Sequence, residues 1–332
     1  MAETKMIQLL RWIGLIIFIF ITTCPLYGKT LIDIVEEKPP YPGYLYRPND
    51  NASHPGILFL HGSDGGNGNY NPFFPGNTGK NSGTPSIARV FAKLGFVTYA
   101  LCWFDCKHHE DYGAYPPDEL KEIDIYKTTY EAFLWLKKSD YVQNKKVAIW
   151  GSSMGAEQAL LLASLVGKHK ESMKLIEPDA ILATSPPDIA TTTFTQEKID
   201  TILRGEKYLS NDESAWIFTN KKIKTGTPID IQYYNGPVLI TYFENDPVLW
   251  GVPINPENLV KKYLKNNIPH TYIQFCDEND LSKTLKTAND NMNKNIVINF
   301  TKEKGHSTPS EPKSTNLYFI VVVNFLKTHL GN

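Results

Sequence analysis

The sequence predicts an α/β fold: a mostly parallel central sheet with helices on both faces, and a polar insertion over about residues 188–235 near the end of the sheet that would carry an active site. Two observations predict it. Short β-rich apolar runs alternate with stretches of helical spacing, the pattern of right-handed βαβ units whose parallel sheet is covered on both sides. Several runs, "GILFLHG" (56–62) and "KVAIWG" (146–151) among them, are apolar without a break, as strands buried on both faces are.

In chain order, "LIDIVEE" and "GYLYRP" read as two short strands parted by the Pro/Gly turn "KPPYPG". "GILFLHG" leads into a long loop rich in Gly, Asn and Pro. "PSIARVFAKLG" then has helical spacing and a stop signal at Gly95. "FVTYALCWF" is a strand, and "PDELKEIDIYKTTYEAFLWLKK" a long amphipathic helix. "KVAIWG", the helix "AEQALLLASLVG" and the strand "DAILATSPP" continue the alternation. Residues 188–235 interrupt it, polar with weak helical patches, and read as an insertion over one end of the sheet. Strand "PVLITYFEND" (237–246), helix "PENLVKKYLKNN" and strand "HTYIQFCDEN" resume it. The polar "DLSKTLKTANDNMNKN" reads as a surface insertion ahead of "IVINFTKEKGHS" and a closing helix, "NLYFIVVVNFLKTHL". No linker divides residues 29–332, which read as one domain.

With 332 residues, 42% of them hydrophobic, the chain has ample core material, which excludes general disorder. A net charge of -1 with scattered Lys and Arg excludes the basic stripe that nucleic acid requires. Residues 1–28 differ from the rest. Lys5 and Arg11 precede the uncharged run "WIGLIIFIFI" (12–21), the form of a secretory signal peptide. The run is short for a bilayer span, so export is expected, with a retained N-terminal membrane anchor as the alternative. Of the four cysteines, Cys102 and Cys106 are placed to pair in an oxidising compartment. A zinc set of Cys102, Cys106, His108 and His109 lacks the two well-spaced ligand pairs of zinc signatures. A buried cysteine at a strand end, followed by a polar loop, is the expectation there, and no metal or organic cofactor is expected.

The chemistry concentrates in "KKVAIWGSSMGAEQALLLASL" (145–165), where a strand gives way to a helix across G-x-S-x-G. A nucleophile has to project from a sharp strand-to-helix turn, and flanking glycines relieve the crowding there. Gly151 and Gly155 frame Ser153, not Ser152, as that nucleophile. The helix behind it points free N–H groups at developing negative charge. His61 and Gly62 close an earlier strand whose carboxyl end shares the same rim. The backbone N–H groups of Ser63, or Asp64 in its place, and Met154 are the expected oxyanion donors, with His61 structuring the loop. The loop lacks the phosphate-binding frame G-x-x-x-x-G-K-[ST], because Phe74 stands where its first glycine would be. A serine nucleophile needs a base and an orienting acid. Asp246 follows a strand, with Glu244 as runner-up. Of the downstream histidines, His270 begins a strand and His329 sits in a last helical turn, leaving His306, after a strand and before the closing helix, as the base.

Those residues carry a resemblance. "LFLHGSDGG", "VAIWGSSMGAEQALLLAS", "ENDPVLWGVP" and "KGHS" resemble motifs of the α/β-hydrolase superfamily, over about residues 56–330. Within it, "GSSMGAEQALLLAS" and "ENDPVLW" are similar to the catalytic domain of acyl-CoA thioesterases and bile-acid-CoA:amino-acid N-acyltransferases, and to dienelactone hydrolase-like carboxylesterases. The resemblance implies the α/β-hydrolase fold and a triad of Ser153, Asp246 and His306. It implies acyl-enzyme chemistry on a small-molecule ester or thioester. Residues 29–55 are too short for the β-sandwich that precedes the thioesterase domains, which favours a plain carboxylic ester over a CoA substrate. Acyl transfer to an amine or alcohol is the second expectation, and a non-catalytic binding protein on this fold the third.

Overall fold

The computed structural model describes residues 32–62, 83–103, 122–191, 216–244, 246, 270–275, 281–293, 295–300 and 312–331. Its strands are β1 (Ile34–Glu37), β2 (Gly43–Pro48), β3 (His54–Leu60), β4 (Val97–Leu101), β5 (Ile123–Asp124), β6 (Val142–Ser152), β7 (Ala180–Thr184), β8 (Trp216–Phe218), β9 (Lys221–Ile223), β10 (Val238–Phe243), β11 (His270–Phe275) and β12 (Asn295–Phe300). The helices are α1 (Gly83–Lys93), α2 (Glu131–Lys138), α3 (Met154–Met173), α4 (Leu281–Asp290) and α5 (Pro312–Leu330).

Among the described residues, nine strands form one sheet in the order β1-β2-β4-β3-β6-β7-β10-β12-β11. β2 is antiparallel to both its neighbours, and every pairing from β4 to β11 is parallel. The unbroken apolar runs are the cause. With period-two side chains, a strand covered on both faces needs apolar residues at every position. Leu58 and Leu60 of β3, with Val147 and Ile149 of β6, enter a core shared with Phe133 of α2 and Leu160 and Val166 of α3. Ile57, Phe59, Ala148 and Trp150 enter a second core on the other face, against Phe91 of α1, Ala288 of α4 and Phe325 of α5.

The two layers obey one handedness rule. Connections that step from β3 back to β4 (α1) and from β11 back to β12 (α4) lie on one face. Those that step the other way, from β4 to β6 (α2) and from β6 to β7 (α3), lie on the opposite face. Right-handed crossovers allow no other assignment of faces.

Three readings of the sequence are corrected. The long helix expected over 117–138 is shorter: β5 occupies Ile123–Asp124, a π-helical turn spans Tyr126–Tyr130, and α2 starts only at Glu131. Asp124 forces the change, since its carboxylate accepts the N–H groups of Tyr126 (3.0 Å) and Lys127 (3.3 Å) and so starts a new helix there. Secondly, α3 runs through Gly167 to Met173 rather than stopping at the glycine. A Cβ at Gly167 would lie 2.1 Å from the Tyr233 carbonyl oxygen, so the glycine serves close packing instead of a helix end.

The third correction concerns "DLSKTLKTANDNMNKN". Its first part is α4, and it is no surface insertion but the crossover that returns the chain from the edge strand β11 to β12. The described part of the 188–235 stretch does lie near that end of the sheet, with Trp216 against Trp103 just past β4, and it is built into the fold. β8 and β9 join β5 in a small three-stranded sheet, and Trp216, Phe218, Ile229, Ile231 and Tyr234 enter the core beside α3. The stretch links β7 to β10 on the same face as α3, where a right-handed crossover has to run.

Candidate active site

β6 ends at Ser152, α3 begins at Met154, and Ser153 joins them at φ 55° and ψ -121°. A non-glycine residue held in that region costs about 1–3 kcal/mol and persists only where its surroundings over-determine it. Here they do. A Cβ on Gly151 would lie 2.1 Å from the Gly155 oxygen, and one on Gly155 would lie 2.4 Å from both the Leu60 and His61 oxygens. The strand, the first helical turn and the end of β3 are therefore in direct backbone contact. The Ser153 N–H donates to the Thr184 oxygen at 2.9 Å, and the Ser153 oxygen accepts the Glu157 N–H at 3.0 Å. Ser152, by contrast, is the last strand residue, paired in register with Thr184. The two glycines thus single out Ser153 for a steric reason.

β3 delivers His61 beside this turn. The imidazole is fully buried and stacks on the Trp103 indole, with ring centres 4.9 Å apart and planes 16° from parallel. Its Nδ1 meets the Gly62 oxygen at 2.7 Å, while Nε2 accepts the Trp103 N–H at 3.4 Å. That pairing requires the proton on Nδ1 and a neutral ring. Trp103 Nε1 donates to the His61 oxygen at 3.1 Å, which closes the contact from the other side. These contacts fix His61 in place at the β3 end.

Asp246 lies three residues past the end of β10, 8% exposed, in a turn where its N–H reaches the Phe243 oxygen at 3.3 Å. β3, β6, β10 and β12 are parallel, so their carboxyl ends share one rim. Gly62, Ser153 and Asp246 all follow those ends. Below the rim, Tyr318 of α5 meets Thr184 Oγ1 at 2.7 Å, and Thr241 Oγ1 donates to Thr184 Oγ1 at 3.1 Å, tying α5 to β7 and β10. Ser63, Asp64 and His306 lie outside the described residues, as do Cys106, His108 and His109. Among the described residues no cluster of His, Cys, Asp and Glu is placed to hold a metal ion. Cys102 is buried at the strand end, as expected, and is disulfide-bonded.

A strained strand-to-helix turn at the end of a central parallel strand, in a sheet of this order with an antiparallel second strand, decides the architecture. The chain has the α/β-hydrolase fold. No protein-family model matches the sequence, and no curated protein matches it. Among solved structures it is similar to an esterase from Pyrobaculum calidifontis, at 13% identity and a TM-score of 0.47 over 99% of this chain and 94% of that one. It is also similar to the Pyrococcus horikoshii acylaminoacyl peptidase, at 12% identity and 0.48 over 90% of this chain and 42% of that one. Esterase B from Lactobacillus rhamnosis gives 14% identity and 0.46 over 91% and 89%.

One residue of this hydrolase fold escaped the sequence reading. Glu157, one turn after Ser153, is 1% exposed. Its Oε1 accepts the Thr191 N–H at 2.6 Å and the Trp216 indole N–H, and its Oε2 meets Thr191 Oγ1 at 2.7 Å. Burial raises its pKa from 4.5 to about 7, against the lowering effect of the Thr191 and Trp216 hydrogen bonds. The set is satisfied in both protonation states: Oε1 keeps its two donors, and the threonine hydroxyl donates to the carboxylate or accepts from the acid. The available signal was a lone acid in an otherwise apolar helical run.

The raised pKa sets a pH dependence. Below the unfolded value of 4.5 the group is neutral in both states and costs nothing. Between 4.5 and about 7 the unfolded chain loses the proton while the folded one keeps it, so stability falls as pH rises, and above 7 the loss is complete. The expected loss is about 3 kcal/mol. Denaturant unfolding at pH 5 and pH 8 measures it. Glu157→Gln, which mimics the protonated acid, is expected to remove this part of the slope, and an unchanged slope in the variant would sink the assignment.

Proposed function

We propose that this protein is a serine hydrolase that cleaves a carboxylic ester, or a thioester, through an acyl-enzyme on Ser153. The observation that carries the reading is the backbone at Ser153, φ 55° and ψ -121°, held between two glycines with no room for a Cβ. A hydroxyl is kept on a strained turn at the rim only at a cost, and acyl transfer is the chemistry that uses such a turn. In the proposed reaction Ser153 Oγ attacks the carbonyl carbon while His306 takes its proton. Asp246 orients the imidazole and stabilises the imidazolium. The N–H groups of Met154 and Ser63 receive the oxyanion, and removal of one such donor costs roughly 3 kcal/mol. When the intermediate collapses, the alcohol or thiol leaves with the proton from His306. Water then attacks the acyl-enzyme by the same base, and the acid departs. The position of Met154 at the start of a 20-residue helix supports its role, since free N–H groups gather there.

Incubation of the full chain with a fluorophosphonate, with peptide mapping of the adduct, tests the reading alongside turnover of p-nitrophenyl acetate. Labelling of Ser153 together with turnover is the expected result. Absence of both would remove the reading, and turnover raised by an added amine would redirect it to acyl transfer.

We also propose that the protein is exported and that residues 1–28 are its leader. The disulfide at Cys102 supports this, because thiols of cytosolic proteins stay reduced. Among the described residues no helix is long and apolar enough to cross a membrane. Non-reducing peptide mapping of protein from its native compartment is expected to find Cys102 linked to another cysteine, and a free Cys102 thiol there would count against export.

A further inference from the structure

Resting on the hydrolase reading, we propose that Glu157 is a positioning residue which, through Trp216 and Trp103, locks the His61–Gly62 end of β3 against the Ser153 turn.

The contacts form an unbroken path. Glu157 belongs to the first turn of α3, and its N–H holds the Ser153 oxygen at 3.0 Å. Its carboxylate accepts the Trp216 indole N–H. The Trp216 ring packs on Trp103 with centres 5.5 Å apart, and Trp103 stacks on His61 at 4.9 Å. Trp103 also grips His61 through both its N–H groups, at 3.4 Å to Nε2 and 3.1 Å to the backbone oxygen. The His61 oxygen in turn faces Gly155, where a Cβ would lie 2.4 Å away. The path therefore leaves the nucleophile helix, crosses two indoles and returns to the same helix two residues from where it began. All four side chains in it are at most 3% exposed.

The function of such a loop follows from what sits at its ends. One end is the turn that presents Ser153 and the Met154 N–H. The other is the peptide that leads into the opposite wall of the site. An oxyanion hole works only when its donors are spaced for the tetrahedral intermediate, and that spacing has to be set before the reaction because a misplacement near 1 Å costs about a hundredfold. Gly155 fixes how closely the two walls approach, while the relay keeps them from separating. A carboxylate suits this job because a single side chain accepts from both Trp216 and Thr191, donors 59 and 34 residues away along the chain. Thr191 secures the carboxylate so that the indole has a fixed acceptor.

The test uses the full chain and four proteins: native, Glu157→Ala, Glu157→Gln and Trp216→Phe. Each is titrated with a fluorophosphonate to count competent sites, and kcat and KM for p-nitrophenyl acetate are expressed per titrated site. Glu157→Ala is expected to lower kcat roughly tenfold to a hundredfold with KM held within about twofold, the mark of an interaction felt in the transition state. Trp216→Phe, which keeps an aromatic ring but replaces the indole with a smaller one and loses the N–H, should fall in the same direction. Glu157→Gln should restore kcat, because its amide oxygen still accepts the indole N–H. A merely structural role would reduce the number of titrated sites and leave kcat per site unchanged, and that result would overturn the proposal. So would a rise in KM alone. Should Glu157→Ala not fold, Trp216→Phe against native decides by the same criterion. If the native protein is not labelled at Ser153, the hydrolase reading falls and the relay with it. If native labels normally and the variants match it per site, the relay falls alone.

Discussion

Replacing Ser153 with Ala is expected to lower ester turnover by roughly a millionfold, the scale on which loss of a catalytic serine is felt in enzymes of this mechanism. That factor corresponds to about 8 kcal/mol of transition-state stabilisation. Replacing its neighbour, Ser152→Ala, should leave most of the activity. The asymmetry has a structural cause. Ser152 closes β6 in register with Thr184, whereas Ser153 stands alone at φ 55° between a strand and a helix. Steady-state kinetics on p-nitrophenyl acetate, with fluorophosphonate labelling of each variant, checks both halves. Equal losses in the two variants, or a loss confined to Ser152→Ala, would overturn the assignment of the nucleophile.

The second large effect is expected at Gly155. Glycine early in a helix would ordinarily gain up to about 1 kcal/mol on replacement with Ala. Here the added carbon would lie 2.4 Å from two backbone oxygens, Leu60 and His61, neither of which belongs to a flexible side chain. Either α3 shifts away from β3 or the end of β3 is displaced. Overpacking of this kind typically costs 1–3 kcal/mol, and about 3 or more is expected where the clash is with backbone on a central strand. The clash decides the sign. Gly155→Ala should unfold at lower denaturant concentration than native, and its folded fraction should react slowly with the fluorophosphonate, because the two walls of the site have moved apart. Native-like stability and labelling would show that the close approach is not a constraint.

The parts legible from sequence were those whose cause is local. β3, β4, β6, β7 and β10 follow from apolar runs bounded by turn residues. The frame Gly151–Ser153–Gly155 named the turn, and the structure supplies the steric reason for both glycines. Asp246, expected just past a strand, lies just past β10 and is buried. His306 and Ser63, read by the same logic, lie outside the described residues.

The misreadings share a different cause. α4 was taken for a surface insertion because its polarity outweighed the helical spacing of Leu281, Leu285 and Ala288. That it is needed becomes clear only once β11 is seen at the edge, beyond β12. Glu157 was passed over because an acid in a helix reads as a solvated side chain unless its partners are known, and those partners are Thr191 and Trp216, far along the chain. Trp216 itself looked like part of a polar insertion and proves to be fully buried in the main core.

The sequence by itself determined the alternation of strand and helix, the strand-to-helix turn at Ser153 and the strand ends beside it, because periodicity, glycine placement and turn chemistry act over a few residues. Only the tertiary structure decided the order of strands at the β10–β12–β11 edge, the path of the 216–235 segment along α3, and the burial of Glu157 among donors from distant segments. Those features depend on which surfaces meet, and a pattern local to the chain does not encode the partner across the gap.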